Sequence, residues 1–214
     1  MNKLQWIVSR LKEGSLLLDI GCGEGTLKGT LRKIGVAKDM KIYGVDVRLP
    51  AVERFYQFHR LDLSKEKLPF SDNFFDCVII HHVLEHLPNP VEVIEDTCRV
   101  LKVGGILYVE TPSTRSLYLP SLRPSANDDS PINFFDDPSH LRPYNKCSLS
   151  RLCKGVGLTI ESMGLHPDYA RSLMSPIYII HGLITLNRGK IARGLRSLLG
   201  WNIYTIAVKR QLSV

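Results

Sequence analysis

The stretch LLLDIGCGEGTL, Leu16–Leu27, joins an apolar run to three alternate glycines through a carboxylate, Asp19. An apolar strand followed at once by glycines predicts a tight turn into a helix. A ligand's atoms can come close to the backbone there, at the helix N-terminus. In open parallel sheets, ligands bind at that place, beyond the carboxyl ends of the strands. The spacing is G-x-G-x-G (Gly21, Gly23, Gly25), and Thr26 stands where a dinucleotide fingerprint needs its last glycine. Charge separates the ligand classes more firmly. Asp19 and Glu24 flanking the turn would repel a diphosphate, since two like charges ~4 Å apart cost about 4 kcal/mol at an effective dielectric of 20. A ligand carrying an ammonium and a second cation would be drawn to the same acids.

Outward from this turn, strand-like runs alternate with helical patterns. The strand over Ser15–Ile20 is followed by a helix over Gly25–Ile34, then by strands over Lys41–Val45 and Phe58–Leu61. Another strand, Phe75–Ile80, leads to a helix over Val91–Leu101 and a strand over Ile106–Glu110. A helix near Ser148–Gly155, a strand near Leu158–Met163 and a last alternating strand, Ile203–Val208, complete the pattern. Strands that are apolar on both faces, separated by helices, predict an α/β fold with a mostly parallel sheet covered on both sides. Leu4, Ile7, Val8 and Leu11 predict an amphipathic N-terminal helix rather than a leader. With 214 residues and 44% hydrophobic content, the chain reads as one domain, 1–214, with insertions at about 112–145 and 167–200. The five cysteines form no CxxC pair, which fits a reducing, cytoplasmic setting.

Four motifs together resemble the class I S-adenosylmethionine-dependent methyltransferases, in their small-molecule branch. They are LLLDIGCGEG, IYGVDV, HRLDL, and FDCVIIHHVLEHLPNP followed by RVLKVGGILYVETP. The resemblance runs from about Leu16 to Ser113 and resumes at His140–Ile160. It implies a Rossmann-like, seven-stranded, mostly parallel sheet with the last strand antiparallel, inserted between the fifth and sixth. It also implies S-adenosylmethionine as cofactor and S-adenosylhomocysteine as product. In that scheme Asp19 serves the methionine ammonium, while Gly21, Cys22 and Gly23 pass under the cofactor. Asp46, with Val47 beside it, takes the ribose hydroxyls. Asp62 takes the adenine amino group, and Leu63 offers its backbone N–H. His81 and His82 stand beside the methyl group. Only fifteen residues separate Asp46 from Asp62, so the second helix is expected to be little more than a turn or two after Pro50.

A methyl acceptor with a hydroxyl or ammonium also needs a base, and histidine suits that near neutral pH. His82, at the end of the fourth strand, and His140, in FFDDPSHLRPY, are the catalytic candidates. His140 is expected in a pocket with Tyr118, Phe134, Phe135 and Tyr144. The text from His82 to His86 is also H-x-x-E-H, an inverted zinc-protease pattern, but Pro88 and Pro90 leave it a single turn. Some quinone-pathway O-methyltransferases of the family have Glu where His82 stands, with Glu-His matching Glu85-His86, and use a divalent metal there. His82 removes that hard oxygen ligand, so no metal is expected.

The acceptor is expected to be a small or lipid-linked molecule, methylated on oxygen or nitrogen. The text after the fourth strand is not [D/N/S]-P-P-[F/Y], and no cysteine follows a proline, which argues against DNA. Basic and aromatic residues do not interleave as in RNA readers. A cofactor-binding protein without turnover, docking a partner through its basic end, and an RNA methyltransferase remain the alternatives. Of the net charge of +7, the surplus lies from Lys146 onward, with 10 Lys or Arg against 2 Asp or Glu; the rest holds 18 and 19. Within 173–200 an apolar run, Leu173–Leu186, precedes a basic amphipathic helix. It has Ile191, Leu195, Leu198 and Leu199 on one face and Arg188, Lys190, Arg193 and Arg196 on the other. That pattern fits a helical lid, a dimer face, or peripheral contact with an anionic membrane; oligomeric state is not legible.

Overall fold

The computed structural model describes residues 3–33, 39–50, 55–121, 132–166 and 169–211. The expected short helix after Pro50 and the middle of the first insertion lie outside them. A single seven-stranded sheet organises the chain: β1 (Leu16–Ile20), β2 (Lys41–Asp46), β3 (Gln57–Arg60), β4 (Phe75–His81), β5 (Leu101–Pro112), β6 (Leu158–His166) and β7 (Asn202–Lys209). Their order is β3-β2-β1-β4-β5-β7-β6. Neighbours among β1–β5 pair in parallel, and β7 runs antiparallel between β5 and β6. β1 is therefore the switch point, with β2 on one side and β4 on the other. In place of the expected turn, Lys102–Gly105 form an irregularity within β5, where the β4–β5 register passes from Phe75–Leu101 to Cys77–Ile106.

Alternation along each strand divides the core into two layers. Leu18, Ile20, Val78 and Ile80 face one layer, closed by Val93 and Ile94 of α3 (Pro90–Val100) and Leu149 and Cys153 of α4 (Lys146–Gly155). Leu17, Cys77 and Ile79 face the other, closed by Ile7 and Val8 of α1 (Lys3–Ser9) and Leu31 of α2 (Leu27–Lys33). Both faces of β1, β2 and β4 are thus largely dry, as their apolar runs require, whereas the edge strand β3 stays polar and partly exposed. α3 starts with Pro90 in its first turn, where the missing N–H costs nothing. Its Arg99 pins the approach to β4 by donating to the carbonyls of Leu68 and Phe70.

Between β6 and β7 rise α5 (Tyr169–Ile184) and α6 (Arg188–Leu199), an antiparallel hairpin. The expected apolar stripe of α6 is covered only in part, with Ile191 and Leu195 half-buried. Ala192 and Leu195 join Leu119, Ile132 and Trp201 in a small satellite core, while Leu198 and Leu199 stay exposed. Among the described residues no helix is long and apolar enough to cross a membrane. All five cysteines are free.

Candidate active site

The glycine turn is fastened to the end of β2. Gly21 and Cys22 donate their N–H groups to the Val45 carbonyl at 2.8 and 3.2 Å, and Gly23 donates to Asp46 Oδ2 at 2.8 Å. Gly21, Gly23 and Gly25 all have positive φ, 70°, 48° and 68°. At Gly21 the need for glycine is doubled, because a Cβ would stand 2.1 Å from Val83 Cγ2. At Gly23 a Cβ would meet nothing within 4 Å. The backbone there faces open space.

Two cavities meet at Gly21. One of about 650 Å³ is lined by Asp46, Val47, Asp62, Leu63 and His82. The other, about 270 Å³, is lined by Asp19, Cys22, His81, Tyr108 and Glu110. Volumes of this order suit a nucleoside-sized ligand and a smaller amino-acid tail. All the expected cofactor contacts except Gly23 therefore line one of two spaces that share Gly21 as a wall. Glu24 does not; it is exposed and lines neither. The second acid felt by Asp19 is Asp46, and burial, with that neighbour's charge, pushes the Asp19 carboxyl up to about 7 despite His81. Asp62 is already in use as the cap of its own turn. It accepts from the Ser64 hydroxyl at 2.6 Å and the Ser64 N–H at 3.0 Å and pairs with Lys65 at 3.0 Å, and these contacts hold its pKa down at about 2.

The end of β4 carries a polar network that the sequence pattern does not announce. His82 has φ +56°, a left-handed turn directly after the strand. That turn brings His82 Nδ1–H to Glu85 Oε1 at 3.0 Å. Glu85 is fully buried in the 3-10 turn Leu84–His86, and its other oxygen accepts from the Thr111 hydroxyl at 2.8 Å. Burial opposes its ionisation, but the bonds from His82 and Thr111 outweigh that and hold its pKa below the ordinary range. With Nδ1 as donor, Nε2 is the acceptor nitrogen of His82. It receives the Asn202 amide at 3.2 Å. The same amide donates to Glu110 at 2.6 Å, and Tyr108 donates its hydroxyl to the other Glu110 oxygen. His81 lies 3.6 Å from Glu110; burial disfavours its charge, but Glu110, Asp19 and Glu85 together raise its pKa.

The second histidine candidate is placed differently. His140 is buried, donates Nδ1–H to the Phe134 carbonyl at 2.6 Å, and stacks on the Phe134 ring. It lines neither cavity. The expected aromatic pocket does not assemble. Phe134 and Tyr144 are core residues, whereas Tyr118 and Phe135 are 85% and 70% exposed. Long loops bury apolar side chains of their own, and this one uses Phe134 and His140 for that. Two residue sets, His81–His82–Glu110 and Glu85–His86–His140, hold ligand-type atoms within 4.8 Å of one another. Both draw on groups already hydrogen-bonded as described.

The model of a methyltransferase-domain family matches residues 2–163. The chain belongs to the class I S-adenosylmethionine-dependent methyltransferases. Among curated relatives, a "Probable S-adenosylmethionine-dependent methyltransferase" of Mycolicibacterium smegmatis is 27% identical over 152 residues, covering 69% of this chain and 53% of the relative. A "Ubiquinone biosynthesis O-methyltransferase" of Xanthomonas oryzae is 30% identical over 127 residues, covering 51% and 48%. The chain thus spans about half the length of these relatives. A solved S-adenosylmethionine-dependent methyltransferase of Archaeoglobus fulgidus superposes with a TM-score of 0.62 at 23% identity, covering 97% of this chain and 91% of that one; this likeness concerns the fold. The family's cofactor is S-adenosylmethionine, and the chemistry of this methyltransferase's donors fits it. A buried carboxyl short of a cation, Asp19, lines one cavity. An acid at a strand end, Asp46, lines the next. Bare backbone at Gly23 faces open space near both.

Proposed function

We propose that this protein transfers the methyl group of S-adenosylmethionine to an oxygen or nitrogen of a small or lipid-linked acceptor, with His82 as general base. The observation that carries the reading is the His82–Glu85 pair at 3.0 Å, held in a wall of the larger cavity. A fully buried carboxylate that fixes one imidazole nitrogen as donor leaves the other free to take a proton, and it stabilises the imidazolium that results. When bound, the cofactor supplies an electrophilic methyl carbon on a sulfonium, which leaves as a neutral thioether.

The protein's own part is to bind, orient and move one proton. Asp19 and Asp46 hold the charged and hydroxylated ends of the cofactor, and Asp62 and Leu63 border the adenine end. His82 Nε2, where the Asn202 amide now sits, accepts the acceptor's O–H or N–H proton as the nucleophile's lone pair is engaged. Trp201, with its ring 5.7 Å from that of His82, forms the wall beside it. His140 is a positioning residue that packs the loop carrying Asp137 and Ser139. The quinone O-methyltransferase relative supports an oxygen acceptor.

The test is calorimetric titration with S-adenosylhomocysteine, followed by transfer of labelled methyl to small-molecule and lipid extracts. Binding with transfer that falls at least a hundredfold in His82→Asn, at unchanged cofactor affinity, supports the reading. Full transfer by His82→Asn, or no binding of the product, overturns it.

A further inference from the structure

The α5–α6 hairpin is packed inside out. α5 turns two small residues, Ser175 and Gly182, toward α6. A Cβ on Gly182 would stand 2.7 Å from Ile191 Cγ1, and one on Gly194 would stand 2.6 Å from Ile179 Cγ1 and 2.9 Å from the Ser175 carbonyl. At about 100° per residue, Leu173, Ile177, Ile180 and Ile184 share a stripe opposite Ser175 and Gly182, with Met174 and Leu183 at its edges. All six are exposed, Leu173 at 81% and Ile184 at 78%. A helix that served only the interior of a water-facing domain would do the reverse. Contiguous exposed aliphatic surface of this kind marks an interaction site.

Charge selects the occupant. Residues 169–200 hold Arg171, Arg188, Lys190, Arg193 and Arg196 and not one Asp or Glu. A second copy would bring no acid from this segment to pair with those cations. An anionic lipid surface takes both features at once, with aliphatic side chains among the acyl chains and cations at the headgroups. With α5 at 16 residues and no described helix able to cross a membrane, the hairpin would lie in the interface. It is also joined to the active site: α6 ends in the left-handed Gly200, and the next residue is Trp201, the neighbour of His82.

We propose that the α5–α6 hairpin docks this methyltransferase on anionic lipid, seating Leu173, Ile177, Ile180 and Ile184 below the headgroups. The docking deepens the function proposed above, on which it rests for one point, by making the acceptor lipid-borne. Each basic side chain near such a surface strengthens binding about fivefold.

The experiment is co-sedimentation of the full chain with vesicles of phosphatidylcholine alone or mixed with phosphatidylglycerol, at low and high NaCl. It is repeated with Ile177→Glu/Ile180→Glu, with S-adenosylhomocysteine affinity measured on both proteins. Expected are at least tenfold tighter binding to the anionic vesicles, loss with salt, and a further tenfold or greater loss in the double variant with product affinity kept within twofold. Wild type that ignores anionic vesicles, or a double variant that binds them equally, overturns the proposal. So does a dimer in light scattering that the double variant abolishes without any vesicle binding, because a second copy then covers the face. Loss of product binding with vesicle binding retained would fault the cofactor reading and leave the docking intact.

Discussion

Asp19 sets stability against binding in one side chain. Its carboxyl is buried, and its pKa stands at about 7 against 3.8 when unperturbed, raised by burial and by Asp46. A shift of about three units corresponds to roughly 4 kcal/mol. Because the folded pKa lies above the unfolded one, the stability linked to Asp19 is fully present below about pH 4. It is lost as pH rises through about 7. At pH 8 the cofactor-free protein therefore carries an ionised buried acid at a cost of about 4 kcal/mol. Asp19→Asn removes that cost, and at ~2–4 °C per kcal/mol for a domain of this size the melting temperature at pH 8 should rise by on the order of 10 °C. At pH 5 the gain should shrink to about 2 kcal/mol, and below about pH 4 it should vanish.

Binding should respond in the opposite sense. In the cofactor site proposed above the ammonium of S-adenosylhomocysteine pairs with the ionised acid, so wild-type affinity should fall as pH drops below 7. From pH 7 to 5.5 the ionised fraction goes from about one half to about 3%, a loss of roughly fifteenfold. The ligand's amine stays charged throughout. Binding at pH 7 should release about half a proton, visible in calorimetry as a dependence on buffer ionisation enthalpy. Asp19→Asn should bind at least tenfold more weakly and lose most of this slope. An affinity independent of pH in that window, or an Asn variant that is no more stable at pH 8 and binds normally, would refute the reasoning.

Three further substitutions probe the other parts. Gly21→Ala forces a β-carbon to 2.1 Å from Val83 at φ +70°, and should cost about 2–3 kcal/mol in chemical denaturation together with tenfold or more in product affinity. Glu85→Gln keeps the shape but cannot accept from both His82 and Thr111. Methyl transfer should drop by about 10–100-fold and the acidic limb of its pH profile should shift, while cofactor affinity holds. Gly194→Val drives a side chain into Ile179 and the Ser175 carbonyl, so limited proteolysis should cut within 169–200 while the main unfolding transition stays within a few degrees of wild type.

The sheet was legible because its signal is local and repeated. The central parallel strands are apolar on both faces, the glycine turn follows β1 at once, and the acids at positions 19, 46 and 62 fall at or just past strand ends. Those acids came out along the two joined cavities for the same reason. What misled was charge read without burial: Glu24 sits in the motif but points to water, and Asp19 feels Asp46 instead, from a strand 27 residues away in sequence. The His82–Glu85 pair was present in the text as an i, i+3 spacing. Nothing in that spacing says that His82 will take a left-handed φ and turn its ring back onto a buried acid. Asn202, Thr111 and Glu110, which complete the network, come from β5 and β7, and only the strand order brings them there.

The hairpin's two helices were legible, but their packing was not, for the opposite reason. Periodicity identifies which residues share a face of a helix; it does not say which face is turned inward. In Leu173–Leu186 large aliphatics surround a few small residues, and the ordinary inference buries the large ones. Here a close helix–helix approach at Gly182 and Gly194 outbids that preference, because the two backbones pack where no side chain fits. The gain from that contact is modest, whereas leaving six aliphatic side chains in water forgoes about 1.5–3 kcal/mol apiece relative to full burial. A chain keeps such an arrangement when something outside the fold takes up the exposed face, and the acid-free charge of 169–200 restricts what that something can be.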